Sequence, residues 1–301
     1  MLRFLPAAAA AATGIFVGST IVATRFVIGE SSPASLAFLR YLVGFCCLLP
    51  LALTSGRVRF AGRDLLPIAA LGVTQFGIVV VLLNFALQLL PSARVALLWA
   101  TFPLMTMLLA AALGYERLTA PKAIGVTITI AGVGLALGEK VLESGNVANA
   151  WLGEAAVLGS ALSGAVCSVL YRPYLRRYPT LPISAYAMLA SVAVLAVFAA
   201  GEGFFRAPPQ FTPGGWLAVA FIGVSSGIGY YLWLWALNHT TPTKVTVFLA
   251  LSPVTATFLG ALFLGETVTA ASLAGLAGVA LGLWLAHWPG CAATRTAGEA
   301  G

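Results

Sequence analysis

The sequence predicts an all-α polytopic membrane protein, with ten transmembrane helices in two inverted five-helix repeats. Three observations carry this expectation. Of 301 residues, 60% are apolar and 8% charged, with a mean hydropathy of +0.98, whereas a water-soluble domain carries about 25% charged residues. The apolar residues fall into ten long runs. The chain also repeats itself at an offset of 150 residues. SARVALLWATFPLMTMLLAAALGYERLT (92–119) lies over PTKVTVFLALSPVTATFLGALFLGETVT (242–269) without a gap. Ala86/Ala236, Leu87/Leu237, Val95/Val245, Pro103/Pro253, Glu116/Glu266, Gly125/Gly275 and Gly132/Gly282 coincide, and Arg94/Lys244 keep the charge.

A helix crossing about 30 Å of hydrocarbon needs roughly 20 apolar residues. The qualifying segments are 6–28, 33–54, 65–89, 93–114, 119–138, 150–170, 182–202, 213–237, 243–264 and 268–287. They are too long and too uniformly apolar for barrel strands, which leaves helices. The first lies in MLRFLPAAAAAATGIFVGSTIVA, which has features of a signal peptide. Cleavage would break the five-plus-five count, so the segment is expected to stay as the first helix. The repeats then occupy 1–145 and 146–290, followed by a cytoplasmic tail at 291–301. An odd number of spans per repeat makes the second copy start on the opposite face, hence inverted. Such repeats are the usual build of alternating-access transporters, with the site near mid-membrane.

Positive charge sets the orientation. With the N-terminus in the cytoplasm, the inner set is Arg3, Arg57, Arg59, Arg63, Arg117, Lys122, Arg172, Arg176, Arg177, Lys244 and Arg295. The outer set is Arg25, Arg94, Lys140 and Arg206, and Arg40 alone lies inside a span. This excess follows the positive-inside rule. Both termini are expected in the cytoplasm and the Glu139–Asn149 connection outside, and the expected location is the cell inner membrane.

The composition also excludes functions. The formal charge of +7 is scattered over loops, leaving no basic water-facing surface for nucleic acid. His239 and His287 form no paired metal set, and Cys46, Cys47, Cys167 and Cys291 have no metal or disulfide spacing. No Ser/His or Asp pair suits nucleophilic or acid–base work. No catalytic residue, metal or cofactor is expected, and the protein is not expected to be an enzyme.

The candidate binding residues are polar or aromatic groups deep in the spans. Arg40 lies about six residues, or roughly 9 Å, below the outer start of the second span. It either snorkels outward, pairs with Glu30 or a helix-end carbonyl, or binds an anionic substrate group. Gln75 is an amide in hydrocarbon that needs several partners. Trp99 and Tyr230 are too deep for an interfacial belt. Ser19, Ser163 and Ser226 sit mid-span, where a hydroxyl bonds its own helix or a ligand. Pro103 and Pro253 fall mid-span at matching repeat positions, each freeing the carbonyl four residues earlier, on Trp99 and Leu249. They are expected to be either packed kinks or paired hinges. Gly125, Gly132, Gly134 and Gly138, then Gly275, Gly278 and Gly282, give the fifth and tenth helices small faces for close packing. That packing lies within one chain or between two, so the protein is a monomer or a homodimer.

PASLAFLRYLVG (33–44), PSARVALLWATFPLMTMLLAAALGYERLT (91–119) and TPTKVTVFLALSPVTATFLGALFLGETVT (241–269) resemble the EamA-type permeases of the drug/metabolite transporter superfamily. Tyr115 departs from the family's usual glycine before Glu116. The resemblance implies ten helices, a central cavity lined mainly by helices 1, 3, 4, 6, 8 and 9, and export of small metabolites, often amino acids. A zwitterion suits a cavity with amide, hydroxyl and indole groups and little fixed charge. The expected partners are therefore a small-molecule substrate, an amino acid or related metabolite that includes large or aromatic ones, and the lipid bilayer. A multidrug or cation exporter, a nucleotide-precursor exporter and a non-transporting receptor are the alternatives.

Overall fold

The computed structural model describes residues 4–27, 29–54, 58–90, 95, 98–116, 118–142, 150–264 and 270–287. Glu266, Arg94, the 291–301 tail and the greater part of the Glu139–Asn149 connection lie outside the described residues. The chain is all helical, with no strand among the described residues. We number the helices α1 (Leu5–Val27), α2 (Pro33–Thr54), α3 (Gly62–Val73, Thr74–Ile78 and Val79–Leu89 as one rod), α4 (Phe102–Ala112), α5 (Ala120–Leu142), α6 (Ala150–Leu170), α7 (Thr180–Gly201), α8 (Pro213–His239), α9 (Leu251–Leu264) and α10 (Ala270–His287).

Six helical stretches are long and apolar enough to cross a membrane: Leu5–Thr24, Ala34–Thr54, Gly62–Leu83, Ala150–Leu175, Thr180–Gly201 and Pro213–His239. The other expected spans, at α4, α5, α9 and α10, contain shorter apolar helices, among them Phe102–Ala112, Ala120–Leu135 and Leu273–Ala286. Two of these are short because the helix is interrupted. Leu98–Trp99 is helical, Ala100–Thr101 is a turn, and α4 begins at Phe102. In the second half a short helix, Pro242–Thr246, passes into a 3₁₀ turn, Val247–Ala250, before α9. Both expected mid-span prolines therefore stand in the first turn of a new segment. A missing N–H is harmless there, because first-turn donors have no intrahelical partner.

The main helix pairings are α5 with α10, α1 with α8, α2 with α7, α2 with α8, α3 with α6, α1 with α9, α3 with α7 and α4 with α6. Moving each helix five places along the chain maps this set onto itself. The pair α1–α8 becomes α6–α3, α2–α8 becomes α7–α3, and α1–α9 becomes α6–α4, while α2–α7 and α5–α10 map onto themselves. The two halves are thus exchanged by one operation in packing as well as in sequence.

Glycine sets the closest contacts. A side chain on Gly125 would meet the Ala286 nitrogen, and one on Gly132 would lie 2.7 Å from the Val279 nitrogen. A side chain on Gly278 would lie 3.0 Å from the Gly132 Cα. α5 and α10 therefore touch backbone to backbone, and these glycines are spent inside one chain. Gly14 and Gly18 do the same for α1, which lies against the carbonyls of Phe248 and Ser252. In the other half, Gly164 of α6 receives the Phe102 ring.

Carboxylates tie the helix ends together. Thr212 caps α8 by accepting from Gly215 N at 3.0 Å, with Pro213 at the first helical position. Glu30, from the α1–α2 connection, in turn accepts from Thr212 N at 2.9 Å and from Thr212 Oγ1 at 3.0 Å. Glu202, after α7, accepts from Ala34 N at 3.0 Å and Ser35 N at 2.8 Å at the start of α2, where a negative charge is favoured. Burial pushes the Glu202 carboxyl up, but hydrogen bonds from Ser32, Ala34 and Ser35 outweigh it and hold the group below its ordinary value.

Candidate functional site

The interior is built around an irregular turn of α3. Residues Thr74–Ile78 form a π-helical turn, a bulge that frees backbone groups and recurs at functional sites. Two side chains of α6 meet carbonyls on either side of it. Ser160 Oγ donates to Val79 O at 2.7 Å, and Cys167 Sγ lies 3.6 Å from Leu71 O. Gln75 stands inside the bulge, and its Oε1 is buried without a hydrogen-bond partner. The next residue, Phe76, carries the bulge into an aromatic row. Its ring meets Tyr41 of α2 at 4.6 Å and Tyr230 of α8 at 4.4 Å, and Tyr230 meets Tyr171 at 6.3 Å. A second row runs beside it, with Trp99 stacked on Phe102 at 5.4 Å and Phe102 6.2 Å from Trp233.

Arg40 supplies the charge. Its Nε donates to Ser226 Oγ at 2.6 Å, Nη2 reaches Thr20 Oγ1 at 3.5 Å, and the guanidinium lies 5.4 Å from the Tyr41 ring centre. Ser226 and Thr20 can accept because their own protons go to Ile222 O and Val17 O. Among the described residues no carboxylate lies within ion-pair distance of Arg40. Pairing with Glu30, one of the readings open from sequence, is not what the fold provides, since Glu30 is taken by Thr212.

The structure therefore joins Arg40 directly to Ser226, and it places Tyr230 against Phe76 beside Gln75. Trp99 stands apart on Phe102, half-buried. Ser19 and Ser163 bond their own helices, at Ile15 O (2.9 Å) and Gly159 O (2.8 Å). Pro103 is buried and Pro253 half-buried, each next to a segment held by a glycine of the opposite half. Thr20, Phe76, Tyr41 and Tyr171 complete the surroundings. Phe76 and Tyr41 went unsingled because a period-based reading treats buried aromatics as core. Tyr171 stands at the end of an apolar run, where sequence offers no signal for it.

A many-helix membrane protein whose halves exchange in packing, with a guanidinium inside a span that meets two hydroxyls and an aromatic ring and, among the described residues, no carboxylate, fits the transporter class. The comparisons make this specific. The sequence profile of the EamA-like transporter family matches residues 5–138 and again 151–288, and the chain belongs to that family. An uncharacterized transporter of Archaeoglobus fulgidus is 25% identical over 91% of this chain and 96% of its own length. A probable terminal-alkyne amino-acid exporter of Streptantibioticus cattleyicolor is 29% identical over 87% of this chain and 88% of its own. A solved crystal structure superposes with a TM-score of 0.80 at 22% identity, covering 94% of this chain and 96% of the other, which shows a shared fold.

Proposed function

We propose that this protein exports amino acids, including large and aromatic ones, or closely related metabolites across the cell inner membrane by alternating access. Ten helices form two inverted five-helix repeats, residues 1–145 and 146–290, with both termini and the 291–301 tail in the cytoplasm. The observation that carries the reading is Arg40, a guanidinium within a span, bonded to Ser226 and Thr20 with no described carboxylate to neutralise it. Such a group suits a substrate carboxylate, and the aromatic rows suit an apolar side chain. In this reading Gln75, Trp99 and Tyr230 line a central pocket between the halves, and Ser19 and Ser163 border it. The Streptantibioticus relative, named as an amino-acid exporter, supports the same substrate class.

Of the described carboxylates, Glu30, Asp64, Glu116 and Glu202 are committed to helix ends and connections, and Glu154 stands near the start of α6. In this reading the cycle needs no protonation of a mid-membrane acid, and an outward metabolite gradient suffices. The test is counterflow in proteoliposomes with radiolabelled leucine, phenylalanine and threonine, against a purine and a quaternary amine, with no pH gradient. Amino-acid exchange is expected, with Trp99→Ala weakening transport of the larger side chains several-fold. Binding without movement would mark a receptor, and movement of the quaternary amine alone would overturn the substrate assignment.

A further inference from the structure

Among the described residues, six buried side-chain polar atoms complete no hydrogen bond, and two of them belong to one pair: the hydroxyls of Tyr171 and Tyr230. Tyr171 is 0% exposed and Tyr230 6%, and their rings meet edge to face between the residue that follows α6 and α8. A tyrosine buried for packing ordinarily finds an acceptor. Tyr178 of this chain does so, donating to Asp64 Oδ2 at 2.7 Å while accepting from Ala61 N at 3.0 Å. The two phenols have only each other to turn to, so at least one of their two O–H donors lacks an acceptor, which is costly unless something else supplies one. Ser226, which holds Arg40, precedes Tyr230 by four residues on α8, so the two lie on the same face about 6 Å apart along the axis. The unfilled hydroxyls thus lie one helical turn from a cation.

We propose that Tyr171 and Tyr230 form a neutral seat for the carboxylate end of the transported molecule, and that Tyr171 is a specificity-determining residue. This rests on the reading of the protein as an amino-acid exporter. A carboxylate brings two oxygens with about four lone-pair directions and so can accept from both phenols at once. A cationic group brings donors only and would meet Arg40 one turn away. A seat without formal charge beside a charged one also lets the carboxylate bind without being trapped, a condition any transport path must meet.

Tyr171→Phe and Tyr230→Phe remove only the hydroxyl and keep the ring contacts, so they isolate the claim. The probe is whichever of leucine, phenylalanine and threonine the wild type exchanges fastest. In ligand-free protein, the Tm of Tyr171→Phe is expected to stay close to that of the wild type, because the deleted hydroxyl had only the other phenol to meet. The KM for counterflow should rise about tenfold, the scale of one hydrogen bond to a charged group. The rise in Tm caused by the probe should shrink in parallel. Unchanged KM and unchanged ligand-induced Tm in both variants would overturn the proposal. So would a fall in ligand-free Tm with KM unchanged, which would make the hydroxyl structural. A wild type that binds and moves no amino acid defeats the functional reading itself, and this proposal with it.

Discussion

Ser160 and Cys167 are seven residues apart on α6, two turns, so both present to α3 and meet it on either side of the bulge that carries Gln75. Ser160→Ala leaves the Val79 carbonyl without that donor in a buried place. The expected loss is about 1–3 kcal/mol, read as a lower Tm of the detergent-purified protein. Cys167→Ser keeps a donor and should be nearly neutral. A Ser160→Ala variant as stable as the wild type would show that the bulge holds itself. The same bulge shows what could be read in advance. Gln75 and Tyr230 stand out as polar groups in apolar runs, and burial cost alone makes them notable. Arg40 stands out too, but its choice of partner is a matter of geometry: Glu30 is near in sequence yet is claimed by Thr212. Tyr171, beside Arg172, Arg176 and Arg177, cannot be told from an interfacial tyrosine until its ring direction is seen.

Hydropathy resolves helices poorly where the backbone breaks without becoming polar. Residues 93–114 and 243–264 read as uniform spans, yet each contains a turn just ahead of its proline. Leu98 O shows how the first is held, accepting both Thr101 N at 3.1 Å and Thr101 Oγ1 at 2.7 Å. The prolines were legible as a pair, but their setting was not, because a proline that kinks a helix and one that starts a segment look alike in sequence. We expect both to keep α4 and α9 from fusing with the turns before them, since proline in a helix interior costs about 3 kcal/mol. Pro103→Ala/Pro253→Ala removes that bar and lets each helix run through. Counterflow should slow several-fold while equilibrium binding of the amino acid stays nearly the same. A double variant with full rates would reduce both prolines to packing features.

The exchange of the two halves was visible in the alignment of 92–119 with 242–269, and the packing carries it further than sequence identity does. The α1–α2 connection clasps the start of α8 through Glu30 and Thr212. The corresponding clasp in the other half joins the α6–α7 connection to the start of α3, through Tyr178 and Arg177 on Asp64. The residues differ, and in the second clasp the carboxylate has moved from connection to helix, so alignment alone does not reveal the correspondence. If the exchange is also an inversion, these clasps lie on opposite faces of the membrane. The exposed Arg206, in the α7–α8 connection, should then face outward and the exposed Arg63, at the start of α3, inward. The background for the test needs Cys46, Cys47, Cys167 and Cys291 replaced, with serine at 167 to keep the contact with Leu71. On that background Arg206→Cys should react with a membrane-impermeant maleimide added to intact cells. Arg63→Cys should react only after the membrane is opened. Labelling of both from the same side would place the two clasps on one face, and the halves would then be related by a parallel repeat with a different route for substrate.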